Sequence, residues 1–206
     1  MVTRPNIVIH KPQTIRIVGI GGQGSVLAAV VLAEALMMEG NWVVQSQSYG
    51  AQVRGGLSYA DVLYSRFPIE YPIAETIDIL YCMHEIGLKA FLNALAKNGI
   101  LIIDSNNVSS IPRDTLHITK KILNLPLTKL AEELGDARIA NMVGLGVLAK
   151  ATKIVSMGNL VEAMKKHVRP GYISMNTRAI EKGFSAVSKS YKLREEKVGY
   201  LGRGFE

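Results

Sequence analysis

The stretch Ile15-Arg-Ile-Val-Gly-Ile-Gly-Gly-Gln-Gly24, followed without a break by Ser25-Val-Leu-Ala-Ala-Val-Val-Leu-Ala-Glu-Ala-Leu36, constrains the fold more than any other. It reads as a short buried strand, a tight glycine turn and a helix apolar on nearly every face. Gly19, Gly21 and Gly24 have the G-x-G-x-x-G spacing of a nucleotide-binding turn. Glycines there let the chain turn sharply, let a phosphate reach the main chain and let the helix pack close to the sheet. The first helical amides, from Ser25 on, then point at an anion with the helix dipole behind them. A nicotinamide or flavin site also needs an acidic residue about 20 positions on, at the end of the next strand, to hold a ribose. Trp42-Val-Val-Gln-Ser-Gln-Ser48 offers Gln45 and Gln47 and no carboxylate. The turn therefore reads as a phosphate cradle or a close-packing device more readily than as a dinucleotide site.

The rest of the chain repeats the alternation of strand and helix. Strands are expected over 14–20, 42–48, 57–64, 77–83 and 100–104, and helices over 25–39 and 85–96, with Gly40 and Gly99 as stops. Ile100-Leu-Ile-Ile-Asp104 is a continuous apolar run of the kind found in a sheet covered on both faces. From Leu125 the pattern is helical, over 125–134, 141–154, 158–168 and 174–189, with Gly144 and Gly146 allowing close approach to the sheet. The expected architecture is α/β: a mostly parallel, Rossmann-like sheet with helices on both faces and a helical C-terminal part. A single domain is expected over residues 1–190, and the charged, glycine-bearing segment 191–206 reads as a flexible tail.

Composition narrows the function. The 206 residues suffice for one large domain, and with nearly half of them hydrophobic there is material for a substantial core. No apolar run reaches the length of a membrane span, and the N-terminus lacks a secretory pattern, so a cytoplasmic protein is the default. The net charge of +7 gathers late, among Lys165, Lys166, Arg169, Arg178, Lys182, Lys189, Lys192 and Arg194. Few aromatics lie among these bases and no nucleic-acid-binding signature accompanies them, so solvated helix faces or an acidic partner subunit explain them better than nucleic acid. Cys82 is the only cysteine. One thiol cannot build a disulfide, a cysteine-type zinc site or an iron–sulfur cluster within the chain, and its apolar setting fits a buried structural thiol.

Few residues are candidates for chemistry. His84 follows a strand end, where open α/β sheets place their ligands. Glu85 beside it cannot make a dyad, because adjacent helical residues diverge. Asp104 with Ser105 and Asn106 also sits at a strand end, in a setting equally suited to turns and caps. The loop Tyr49-Gly-Ala-Gln-Val-Arg-Gly-Gly56 is more telling. With strands one and two side by side, it brings Gln52 and Arg54 to the same crevice as Gly21, Gly22, Gln23, Gly24 and Ser25. Arg54 suits a phosphate or carboxylate because its planar fork donates two hydrogen bonds at once. This constellation binds an anion and shows no evident acid, base or nucleophile.

Four motifs in order give a family resemblance: Gly21-Gly-Gln-Gly24, Gln47-Ser-Tyr-Gly-Ala-Gln-Val-Arg-Gly-Gly56, Ile102-Ile-Asp-Ser105, and the pair Asn141-Met-Val-Gly-Leu-Gly146 and Met175-Asn-Thr-Arg-Ala-Ile-Glu-Lys-Gly-Phe184. Across about residues 14–187 the chain resembles the gamma subunit of 2-oxoacid:ferredoxin oxidoreductases, most of all the 2-oxoglutarate enzymes. Pyruvate, branched-chain 2-oxoacid and indolepyruvate enzymes carry similar chains. The resemblance implies one subunit of a complex that oxidatively decarboxylates a 2-oxoacid, hands the acyl group to coenzyme A and reduces ferredoxin. It implies that thiamine diphosphate, magnesium and [4Fe-4S] clusters sit in alpha, beta and delta-type (ferredoxin-like) partner subunits, with no catalytic residue here. Coenzyme A would approach this chain's surface at Gly21–Ser25, Gln52 and Arg54. Two other readings remain: a stand-alone nucleotide-binding oxidoreductase using the Gly19–Gly24 turn, and an interaction module whose glycine loops serve packing alone. A homodimer is expected of the isolated chain, since a subunit bereft of partners exposes apolar surface.

Overall fold

A computed structural model of the protein describes residues 8–49, 56–74, 76–194 and 197–200. In chain order, β1 (Val8–Lys11) precedes β2 (Gln13–Ile20), α1 (Ser25–Met38), β3 (Trp42–Tyr49), β4 (Leu57–Ser65) and β5 (Ile77–Cys82). There follow α2 (Glu85–Phe91), β6 (Leu95–Asp104), α3 (Thr115–Ile118), β7 (Lys121–Leu125) and α4 (Leu127–Glu132). The chain closes with α5 (Ala140–Thr152), α6 (Met157–His167), α7 (Ile173–Ser185) and β8 (Lys197–Tyr200). Six strands form the main sheet in the order β3-β4-β2-β5-β6-β7. The run β2-β5-β6-β7 is parallel, whereas β4 is antiparallel to both β2 and β3. The α/β, mostly parallel sheet is therefore as expected, with one correction. Strands β2 and β3 are not neighbours, because β4 turns back from β3 in an antiparallel pair and lies between them. Since β3 and β2 run the same way, the Gly21 turn and the β3–β4 connection still lie at one edge of the sheet.

The alternation of side chains along each strand divides the core into two layers. Ile15, Ile17, Ala60, Val62, Ile79, Tyr81, Ile100 and Ile102 face α1, α5 and the other C-terminal helices. Val18, Leu80, Cys82, Leu101 and Ile103 face the opposite way, together with Leu88 of α2 and Val108. Each such Ile, Leu or Val, fully removed from water, contributes about 1.5–3 kcal/mol before entropy is counted. Helix α5 is buried on nearly every side, and α7 packs across its outer face. A Cβ on Gly146 would collide with the Ile180 carbonyl, and one on Gly183 with the Val143 carbonyl, so the two helices meet backbone to backbone.

The second face holds a buried ion pair. Arg16 and Asp61 stand opposite each other on β2 and β4. Arg16 Nε and Nη2 donate to the two Asp61 oxygens at 2.6 Å each, and the guanidinium carbon lies 4.5 and 4.4 Å from the centroids of the Tyr59 and Phe91 rings, which meet edge to face 4.8 Å apart.

Several elements depart from the sequence reading. The helix expected over 85–96 ends at Phe91, and β6 begins at Leu95. Strand β7 and the short α3 were not anticipated, nor was the pairing of β1 with β8. Part of the expected flexible tail is held in place. Tyr191 N–H donates to Ala151 O at 2.7 Å. Arg194 grips the buried Asp78 through both Nε and Nη2 and also donates to Pro12 O. Residues 195–196 and 201–206 lie outside the described residues.

Candidate functional site

The parallel strands end at one edge of the sheet. Between β2 and β5 the connections diverge, α1 crossing one face and α2 the other. Open α/β sheets bind ligands at such a switch point. Here the crevice is bridged from within. Gln23 folds back so that its Oε1 accepts from Ile20 N–H at 2.9 Å, while its Nε2 donates to Met83 O at 3.2 Å. Met83 N–H in turn donates to Val18 O at 2.8 Å. The Gln23 side chain thus ties together the ends of β2 and β5 at the foot of that crevice.

The glycine turn is held as firmly. Gly21 N–H donates to Gly56 O at 3.0 Å, fixing the far end of the β3–β4 connection against the turn. Ser25 is buried, and its Oγ shares a 3.0 Å hydrogen bond with Ser58 Oγ. Gly22 and Gly24 have φ of +100° and +74°, a region that only glycine enters at little cost. Gly21 and Gly22 are exposed at the edge. Gly24 caps α1, its carbonyl accepting from Ala28 N–H at 3.0 Å. No side chain caps the helix start and its first turn holds no acidic residue. An anion approaching these first amides meets neither a competing acceptor from a cap nor a repelling carboxylate.

Of the expected site residues, the structure brings Gly21, Gly22, Gln23, Gly24 and Ser25 into one turn. The side chains of Gln23 and Ser25 are committed to the scaffold, which leaves main-chain groups at the face of the turn. Gln52 and Arg54 lie outside the described residues. Their flanks, Tyr49 and Gly56, end at the edge occupied by the turn.

His84 and Asp104 turn out to shape strand ends. His84 caps α2, its Nδ1 accepting from Ile86 N–H at 3.2 Å. Glu85 pairs with Lys89 at 2.5 Å and accepts from Ser109 Oγ at 2.8 Å, which together hold its carboxyl below the usual range. Asp104, buried, accepts from Asn106 N–H, Asn107 Nδ2 and both Thr128 N–H and Oγ1, joining the end of β6 to the start of α4. Cys82 is fully buried, and desolvation pushes its thiol well above the usual range.

A residue absent from the expected site completes it. Asn141, in the first turn of α5, is buried and donates from Nδ2 to Gly24 O at 3.1 Å. Its Oδ1 accepts from Met142 N–H at 2.9 Å, which fixes the orientation of the amide. The sequence marks Asn141 as part of a motif, but the 117 residues separating it from Gly24 hide the contact.

Comparison with known proteins agrees with this fold. Residues 14–186 match the family described as pyruvate ferredoxin/flavodoxin oxidoreductase. The chain is 38% identical, over 85% of its length and 95% of the relative's, to the 2-oxoglutarate synthase subunit KorC of Methanothermobacter thermautotrophicus. Its fold matches the crystal structure of the gamma subunit of a keto/oxoacid ferredoxin oxidoreductase from Geobacter sulfurreducens, with a TM-score of 0.75 and 30% identity, covering 84% of this chain and 95% of that one. The same fold recurs, at 21% identity and a TM-score of 0.75, within the 2-oxoglutarate:ferredoxin oxidoreductase of Magnetococcus marinus, covering 91% of this chain and 34% of that longer one. This chain therefore belongs to the pyruvate ferredoxin/flavodoxin oxidoreductase family.

Proposed function

We propose that this chain is the gamma subunit of a 2-oxoacid:ferredoxin oxidoreductase, with 2-oxoglutarate as the oxoacid. The observation that carries this reading is the 38% identity to a 2-oxoglutarate synthase subunit across 95% of that relative's length. The chain's own chemistry fits a supporting role. A single buried thiol cannot ligate an iron–sulfur cluster, which needs several thiolates. Among the described residues no group of three or more His, Cys, Asp or Glu is placed to hold a metal ion. Thiamine diphosphate, magnesium and the clusters then belong to alpha, beta and delta-type subunits, and ferredoxin is the acceptor of the whole complex, in the cytoplasm. The isolated chain would self-associate, since Met37, Met38, Trp42 and Phe67 expose apolar surface around the start of the edge strand β3.

The glycine turn is the proposed meeting point with coenzyme A. The turn formed by Gly21, Gly22, Gln23, Gly24 and Ser25 would face a phosphate through the amides of Gly22, Gly24 and Ser25, because those of Gly21 and Gln23 already donate to Gly56 O and Ile20 O; Gln52 and Arg54, outside the described residues, are proposed as further contacts. The end of β3 carries Gln45 and Gln47 and no carboxylate for a ribose, which speaks against a stand-alone nicotinamide or flavin enzyme.

Affinity purification of the chain from its host, followed by mass spectrometry and assay of the recovered material, tests the assignment. A thiamine-dependent subunit and a cysteine-rich subunit should co-purify, and 2-oxoglutarate should be oxidised faster than pyruvate or 2-ketoisovalerate. A chain recovered alone and binding a nicotinamide or flavin would refute it. Arg54→Ala in the assembled complex should raise KM for coenzyme A about tenfold, as the loss of one charge-assisted contact predicts.

A further inference from the structure

We propose that a second copy of this chain pairs with the outer edge of β3, joining the two main sheets antiparallel across a two-fold axis at Gln45. The inference rests on the self-association proposed for the isolated chain and does not depend on the oxoacid. Strand β3 is the last of the main sheet, and among the described residues no strand lies on its outer side. Its outward N–H and C=O groups form a template for another strand, and natural edges are blunted by shortness, charge, proline or a bulge. Strand β3 has none of these. Its eight residues, Trp-Val-Val-Gln-Ser-Gln-Ser-Tyr, include no charge and no proline, and they keep an unbroken register with β4. The opposite edge is different. Strand β7 has five residues and opens on Lys121, whose Nζ donates to Lys192 O of the C-terminal segment at 2.7 Å.

The side chains of β3 select the occupant. An uncharged strand offers an acidic or basic partner no ion pair, whereas an identical strand matches it along its length. A two-fold axis perpendicular to the sheet sets each face of one copy beside the same face of the other. Residues of equal parity then stand opposite each other. An axis at Gln45 places Trp42 against Ser48 and Val44 against Ser46, on the face shared with Asp61, and Val43 against Gln47 on the face toward α1. Large side chains thus meet small or flexible ones. Trp42 is 57% exposed, and Ser46 and Ser48 leave room for its ring. The Gln45 amide, which donates to Ser46 O of its own strand at 3.3 Å, carries both a donor and an acceptor and can pair with its copy across the axis. Exposed Met37 and Met38 extend the apolar surface at the Trp42 end. The seam is shorter than the about 20–30 residues a side of a standard interface, which sets a Kd on the order of 10 μM.

Sedimentation equilibrium of the full chain across a concentration series tests this, with the emission of Trp42, the only tryptophan, as a second reading. The parent should dimerise, and the emission should shift to the blue as it does so. Gln45→Glu and Gln45→Lys each set like charges opposite each other, and each should raise Kd about tenfold. An equimolar mixture of the two should recover a dimer at least as tight as the parent. Only contact between two copies of position 45 produces that recovery. In Gln45→Cys the two Cα atoms would lie about 4.5–5.5 Å apart, within disulfide reach. Mild oxidation should give a covalent dimer that reduction releases, with Cys82 too deeply buried to compete.

The failures are distinguishable. A chain that stays monomeric throughout the series overturns both the seam and the self-association. A parent that associates, with neither charge variant altering its Kd, keeps the self-association at another surface and overturns the seam. Weakening by both charge variants without recovery on mixing overturns the axis at Gln45, and the proposal with it.

Discussion

Gly22→Ala and Gly24→Ala form a matched pair whose difference measures how far the turn is held from α5. Both glycines are in the left-handed region, at φ +100° and +74°. Forcing an L-residue there costs about 1–2 kcal/mol from the clash of Cβ with the carbonyl. At Gly22 that is the whole cost, because an added Cβ meets nothing within 4 Å. At Gly24 the Cβ would come within 2.5 Å of Asn141 Nδ2 and 3.3 Å of its Cγ. The Asn141 amide must then leave Gly24 O, and a buried donor without a partner costs about a further 1–3 kcal/mol. Gly22→Ala should therefore destabilise by about 1–2 kcal/mol and Gly24→Ala by about 2–5 kcal/mol. Urea denaturation of the full chain, read by far-UV circular dichroism, gives both values. In an Asn141→Ala background the Cβ has room, so Gly24→Ala should fall back to the cost of strain alone. The resulting coupling is about 1–3 kcal/mol, larger than the near-additivity of independent sites. Equal costs for the two glycine variants, or additivity of Gly24→Ala with Asn141→Ala, would refute the reasoning.

Three further outcomes are expected. Asp61→Ala leaves the Arg16 guanidinium nearly buried and unpaired against two rings, and should destabilise by about 3–5 kcal/mol. Arg16→Met with Asp61→Leu should recover most of that loss in a thermal melt; a double variant no better than Asp61→Ala would show that the rings, not the charges, dominate. Cys82 should resist a thiol reagent in the native chain and react at once in guanidinium, because the thiol is fully buried and desolvation disfavours its thiolate. Reaction in the native chain at the rate of an exposed thiol would contradict that burial. Glu39 accepts from Ser156 N–H and Asn159 Nδ2 at 2.8 Å each, binding the end of α1 to the start of α6, and the Ser156 amide chiefly holds its carboxyl below the ordinary value of 4.5. A depressed carboxylate contributes stability above its unfolded pKa and loses it as pH falls through the folded one. Glu39→Gln should then cost up to about 1 kcal/mol at pH 7 and almost nothing well below pH 4; a cost unchanged at low pH would show that charge plays no part.

The sequence made some of this legible and hid the rest for identifiable reasons. Continuous apolar runs such as Ile100–Ile103 are buried on both faces, and their period alone assigns them to a covered parallel sheet. The antiparallel β4 was not legible as such, because Leu57–Ser65 has the same β-forming composition whichever way it runs. Direction is set by pairing, and the pairing of Ile20 with Leu57 is a tertiary fact. Strand β7 is five residues long and has a partner on one side only, too short for its pattern to stand out. The anchoring of Arg194 is hidden because charge density suggests a solvated segment, whereas this residue finds the buried Asp78, 116 residues away.

The glycine motif shows best where sequence reasoning reaches its limit. Its spacing correctly announces a strand, a turn and a helix, since those depend on local backbone freedom. Which groups of the motif are left for a ligand depends on contacts that the motif does not contain. Gln23 could have projected into a crevice; instead Met83 O, 60 residues on, draws it inward. Ser25 could have touched a phosphate, but Ser58 holds its hydroxyl. What remains for chemistry is a set of main-chain groups whose direction is fixed by Gly56, Met83 and Asn141. A turn built in this way is rigid and shows no nucleophile, acid or base of its own. Under the proposed function, such a turn would hold one end of a substrate while another subunit carries out the reaction.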